Sequence, residues 1–120
     1  MKLYTLPGAC STADHIALYW SDLPFEVATV ARRGAVAAEL RLIHPAGTLP
    51  VLVDGDFVLS QNAAILGYVA DRAPQARLLG DGSARQRAEA TRWLMFSNAD
   101  IQPVFGTFFE PGLFIDDEQR

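Results

Sequence analysis

Apolar and polar positions change period several times along this chain. Lys2-Leu3-Tyr4-Thr5-Leu6 reads as a short strand stopped by Pro7-Gly8. From Ala13 to Trp20 the spacing turns helical, with Ile16, Ala17 and Trp20 expected on one face, and Asp22-Leu23-Pro24 ends the run. Phe25-Glu26-Val27-Ala28-Thr29-Val30 alternates as a strand does. Gly34 punctuates, and Val36 to Ile43 predicts a second helix, closed by Pro45-Ala46-Gly47. Val51-Leu52-Val53 and Phe57-Val58-Leu59 flank Asp54-Gly55-Asp56, a hairpin signal. Gln61 to Arg72 predicts a third helix with Ile65, Leu66 and Val69 inward. The order is βαβ followed by ββα, which predicts one α/β sandwich of about 75–80 residues.

Ala73-Pro74 through Asp81-Gly82-Ser83 has the small and turn-forming residues of a linker. Ser83 is the expected N-cap of a long helix carrying Arg85, Arg87, Glu89 and Arg92 on its wetter face. Pro103 is expected to kink or interrupt it. The stretch Val104-Phe105-Gly106-Thr107-Phe108-Phe109, with Leu113 and Phe114 beyond, is more apolar than one helix can hide. That predicts association, most simply as a dimer.

Composition narrows the classes. The 120 residues are 50% hydrophobic and 20% charged, enough to bury a core. The net charge of −4 argues against nucleic acid, which needs a concentrated basic face. No apolar run approaches the ~20 residues of a membrane span. The N-terminus is broken too early for a signal peptide. One cysteine excludes an internal disulfide, and a cytoplasmic protein is the simplest expectation. His15 and His44 lack metal partners at suitable spacing, so no metal site is expected.

Candidate chemistry gathers at three places. Leu49-Pro50 opens an apolar strand, where a proline removes a ladder donor. Entry through X-Pro suggests a bond locked in one isomer, with cis the expectation. Backbone groups beside such a proline suit an extended peptide added as a strand. Ser60-Gln61-Asn62 begins a helix, where amides and free N–H groups suit carboxylates. Cys10 follows a Pro-Gly-Ala turn and precedes a helix, where a thiol is drawn toward thiolate. A small buried apolar cysteine is the other reading of that position. Tyr4, on the first strand, is expected in the core. The three places together describe a site for a small acidic peptide.

These residues resemble the glutathione S-transferase family. Pro7-Gly8-Ala9-Cys10-Ser11 resembles bacterial beta-class members, Gly47-Thr48-Leu49-Pro50-Val51-Leu52 resembles the family's cis-proline element, and Ser60-Gln61-Asn62-Ala63-Ala64-Ile65 resembles its γ-glutamyl-binding helix start. The resemblance covers residues 1 to about 80. It implies a thioredoxin-like βαβαββα domain over residues 1–78 and the beginning of an all-helical domain over 83–120, apparently incomplete. It implies glutathione as co-substrate, a small hydrophobic electrophile or disulfide as second substrate, and a homodimer. Cys10 and Ser11 are then the catalytic candidates, with Ser11 donating to the glutathione sulfur. Leu49, Pro50, Val51, Gln61 and Asn62 are then expected to hold the peptide, with the Val51 backbone pairing with it, and Arg33, in a loop with Arg32, to meet the glycyl carboxylate. The chemistry is conjugation or thiol–disulfide exchange through a mixed disulfide. A non-catalytic binding or assembly module is the alternative. Gln102-Pro103 stands where beta-class relatives often carry a His-Lys pair, so a cation near the thiol is missing.

Overall fold

β1 (Lys2–Thr5) is the organising strand of a computed structural model that describes residues 1–31 and 35–109. It pairs in parallel with β2 (Glu26–Thr29), Leu3 opposite Val27, and antiparallel with β3 (Val51–Asp54), Leu3 opposite Leu52. β3 runs through the Asp54-Gly55 turn into β4 (Phe57–Ser60), giving the order β2-β1-β3-β4. Gly55 takes φ +64°, the left-handed backbone that the hairpin turn requires.

Strand alternation splits the core in two. Leu3 and Leu52 face α1 (Ser11–Ser21) and α3 (Asn62–Arg72), where Leu18, Ile65 and Val69 are fully buried. Tyr4 and Val51 face the other way, with Val30 and with Leu40 of α2 (Ala35–Ile43). Each such aliphatic side chain contributes about 1.5–3 kcal/mol on burial. Tyr4 is in the core, as expected. Its hydroxyl donates to Glu39 of α2, which also receives Lys2 Nζ at 2.6 Å. Burial and the Glu39 bond push the Tyr4 hydroxyl's pKa up.

The buried face of α1 differs from expectation. Ser11, Asp14, Ala17, Leu18 and Ser21 are buried, whereas Ile16 and Trp20 are 43% and 66% exposed. Small side chains let α1 lie close against the sheet and α3. The bulky residues point instead into an apolar cleft of about 400 Å³, lined by Ile16, Trp20, Leu66, Leu79, Trp93 and Leu94.

After a 3₁₀ turn at Pro74–Ala76, the Ser83 hydroxyl accepts from Gln86 N at 3.2 Å and starts α4 (Ala84–Phe96), as expected of an N-cap. The interruption expected at Pro103 comes one turn earlier. Ser97–Ile101 forms a π turn, and Pro103 lies inside α5 (Gln102–Phe109). A helical proline has no N–H and its ring crowds the carbonyl four residues back, here Ala99. The widened turn through Ala99 removes that conflict. Along α4 and α5 the side chains of Trp93, Met95, Phe96, Val104, Phe105 and Phe108 are exposed. Leu113 and Phe114 of the expected apolar patch lie outside the described residues, as does the side chain of Phe109. No described helix is long and apolar enough to cross a membrane.

Candidate functional site

The bond between Leu49 and Pro50 is cis, the isomer that the X-Pro strand entry suggested. Pro50 is buried, and Leu49 precedes β3 and stands outside its ladder. The carbonyl oxygen of Leu49 faces the Cys10 thiol, with Sγ at 4.0 Å. Cys10 is the N-cap residue of α1 and is partly exposed. Its side chain makes no capping bond, so the sulfur is left to the cleft between the first turn of α1 and the cis-proline turn.

The expectation that Val51 pairs with the peptide backbone is not met. Val51 is opposite Tyr4 on one side and Ser60 on the other, and is fully buried. Whichever way its N–H and C=O point, they meet a neighbouring strand. Leu49, one residue before the proline, has the backbone that remains beside the thiol.

Ser11 is also placed differently from its expected role. It is fully buried. Its Oγ accepts from Thr5 Oγ1 at 2.8 Å and lies 3.2 Å from the donating N–H of Leu6 and 3.3 Å from the Leu6 carbonyl. The hydroxyl therefore fastens the first turn of α1 to the end of β1. It is turned to the protein and not to the sulfur of a bound ligand.

Gln61 and Asn62 separate into two roles. Gln61 is the N-cap residue of α3, exposed, with φ 76° and ψ 117°. A non-glycine residue at positive φ is strained by roughly 1–3 kcal/mol and persists where the surroundings hold it. Its side chain makes no capping bond and is free for a ligand at the helix start. Asn62 is buried, and its Nδ2 donates inward, to Cys10 O at 3.2 Å and to Asp14 Oδ2 at 2.9 Å. Its amide N–H group is thus turned inward, and it ties the start of α3 to the residue that carries the thiol. Arg33 and Arg32 lie outside the described residues.

Asp14 was missed from the sequence. It is fully buried in the first turn of α1, and burial pushes its carboxyl's pKa up to about 7 against the smaller downward pull of the Asn62 bond. The available signal was its spacing: Ser11, Asp14, Leu18 and Ser21 fall on one helical face. The Asp54-Gly55-Asp56 segment is the hairpin turn it was expected to be. Asp54 accepts from Tyr68 Oη at 2.7 Å and from Arg72, and the Tyr68 bond leads in holding its carboxyl below the ordinary range.

Three segments remote in sequence thus meet at Cys10. The arrangement offers a thiol, an unladdered backbone carbonyl and an exposed helix start, which together suit an extended thiol peptide with a terminal carboxylate.

Comparison with known proteins agrees. A family model described as "Glutathione S-transferase, N-terminal domain" matches residues 3–77. The protein called glutathione S-transferase GST-4.5 from Xanthomonas campestris pv. campestris is 49% identical over 118 residues, covering 98% of this chain and 58% of that relative. The structure of a glutathione S-transferase from Xylella fastidiosa superposes with a TM-score of 0.89 at 44% identity, over 98% of this chain and 58% of that one. A bacterial beta-class glutathione S-transferase from Sphingomonas chungbukensis superposes with a TM-score of 0.83 at 35% identity, over 98% of this chain and 60% of that one. The chain therefore spans about three fifths of the length of these relatives. With the matched segment taking in the thiol turn, the cis-proline and the start of α3, the chain belongs to the glutathione S-transferase family.

Proposed function

We propose that this chain forms the glutathione-binding part of a glutathione transferase. The observation that carries the reading is that Cys10 touches both other segments. Its Sγ faces the Leu49 carbonyl and its own carbonyl receives the Asn62 amide. Glutathione would lie extended past Leu49 and Pro50, with its sulfur toward Cys10 and its γ-glutamyl end toward Gln61 and the N–H groups opening α3. Arg33 is proposed for the glycyl carboxylate.

Two chemistries fit the site. In one, the glutathione sulfur attacks a small hydrophobic electrophile and expels its leaving group. In the other, the Cys10 thiolate attacks a glutathione disulfide, forming a protein–glutathione disulfide and releasing one glutathione thiolate. The partly exposed Cys10 thiol in the cleft suits the second, and since these 120 residues hold no other cysteine, a glutathione thiol is proposed to resolve the adduct. Residues 1–78 are proposed as the glutathione-binding domain and 83–120 as the opening of a helical one. The exposed aromatic faces of α4 and α5 are proposed to lie in a homodimer. A cytoplasmic location fits a reduced thiol site.

The test is turnover of the intact protein with an aryl halide and with a glutathione mixed disulfide, beside calorimetric binding of glutathione. Turnover of either, lost or much reduced in Cys10→Ala for the disulfide, supports the enzyme. Binding without turnover of either points to a binding module instead. No binding removes the glutathione reading.

A further inference from the structure

The site described leaves Asp14 unused. It is fully buried, in the first turn of α1. Oδ2 accepts from Asn62 Nδ2 at 2.9 Å, and Oδ1 has no hydrogen-bond partner among the described residues. The same Asn62 nitrogen reaches the Cys10 carbonyl at 3.2 Å. One amide therefore bridges a buried carboxyl and the backbone of the thiol residue, next in sequence to Gln61. A buried polar atom left unpaired costs about 1–3 kcal/mol, so a carboxyl in this position calls for an explanation.

We infer that Asp14 is a positioning residue: through Asn62 it sets the start of α3 against Cys10, and so the spacing between the thiol end and the γ-glutamyl end of the site. The inference rests on the glutathione reading above. A neutral carboxyl fits this pocket, where its one bond is enough to hold Asn62. An ionised one places a charge in a fully buried place where, among the described residues, Asn62 is its one side-chain donor and no cation offsets it. Relief comes from moving the two helix starts apart or from admitting water, and either loosens the site.

The surroundings leave the carboxyl to respond to pH by itself. From α3 it meets Asn62. Within α1, the Ser11 hydroxyl is occupied by Thr5 of β1 and by Leu6, the Cys10 thiol turns toward Leu49, and exposed His15 stacks edge-on with Phe25. Among the described residues no charged side chain bears on it, and with its carboxyl pushed up to about 7 the change of charge falls in the neutral range. Glutathione affinity is then highest with the carboxyl neutral and falls as it ionises.

The test is calorimetric affinity for S-methylglutathione, which has no free thiol to titrate, in the intact protein and in Asp14→Asn, from about pH 5.5 to about pH 8. Asparagine keeps an acceptor for Asn62 and cannot ionise. The expected result is affinity roughly threefold or more weaker at the upper end, with a midpoint near 7, and a flat profile in the variant. The same slope in both proteins, or no slope in the unsubstituted one, overturns the inference. Should Asp14→Asn not fold, the side-chain amide signals of Asn62 in the unliganded protein carry the test. Titration with the same midpoint as affinity supports the tie, and signals that do not move overturn it. If S-methylglutathione and glutathione bind at no pH, the glutathione reading itself has failed and the positioning role falls with it. The Asn62 signals then still report whether the carboxyl titrates.

Discussion

The Cys10 thiol and the Leu49 carbonyl face each other at 4.0 Å across the cleft in front of Pro50. A glutathione sulfur entering beside the Leu49 backbone meets that thiol directly. Incubation with oxidised glutathione should therefore add one glutathione to the protein by mass. Reductant should reverse the addition, and Cys10→Ala should abolish it. A chain that takes up no glutathione under these conditions would make Cys10 a packing residue.

Gln61 joins an exposed side chain to a strained backbone. Replacing it with alanine should remove a hydrogen bond to a charged group and weaken glutathione binding by about 1.5–3 kcal/mol. Replacing it with glycine should weaken binding as much while holding or raising the melting temperature, because glycine adopts positive φ without steric cost. Calorimetry and thermal melts on the two variants separate the contact from the strain. Equal affinity in Gln61→Ala would remove the side chain from the site.

Much of this site was legible in the sequence because its signals are local. A proline opening an apolar strand, a Pro-Gly-Ala turn before a cysteine and a polar pair at a helix start each declare themselves within a few residues. The α/β order and the Ser83 cap were legible for the same reason. What escaped depends on contacts between distant segments. Val51 looked available until β1 and β4 were seen to flank it. That the Asn62 amide N–H group turns inward, to Cys10 and Asp14, depends on segments about fifty residues away. Ile16 and Trp20 looked like core because apolarity alone ignores how closely α1 must approach α3. Pro103 marked the disturbance in its helix, but steric conflict acts on the preceding turn.

Ser11 should prove structural. Ser11→Ala removes the acceptor of the Thr5 hydroxyl and of the Leu6 N–H in a fully buried place. Leaving such donors unpaired should cost about 1–3 kcal/mol, read as a lower urea midpoint with an unchanged slope. Glutathione affinity of the folded variant should stay as it was. Lost affinity with unchanged stability would return the hydroxyl to the sulfur.

Asp14 gives stability a definite dependence on pH. Its carboxyl is raised from 3.8 to about 7 in the folded chain. Below the lower value it is protonated in both states and its contribution is fully present. Between the two values the unfolded chain has released the proton while the folded chain keeps it, so stability falls as pH rises. Above about 7 the loss is complete, on the order of 4 kcal/mol for a shift of this size. Asp54, Asp71, Asp81 and Glu89 are shifted downward, so their contributions are lost at acid pH and leave the neutral range unaffected. Among the described residues Asp14 therefore contributes a falling slope between about pH 5 and about pH 7, and comparison with Asp14→Asn isolates its share. Urea unfolding across that range should show stability declining toward the alkaline end. Asp14→Asn should flatten the decline, so that the variant overtakes the original protein at the upper end even though its new amide N–H group faces the place where Oδ1 has no partner. Parallel curves for the two proteins would mean that Asp14 is ionised throughout, with water supplying what the protein does not.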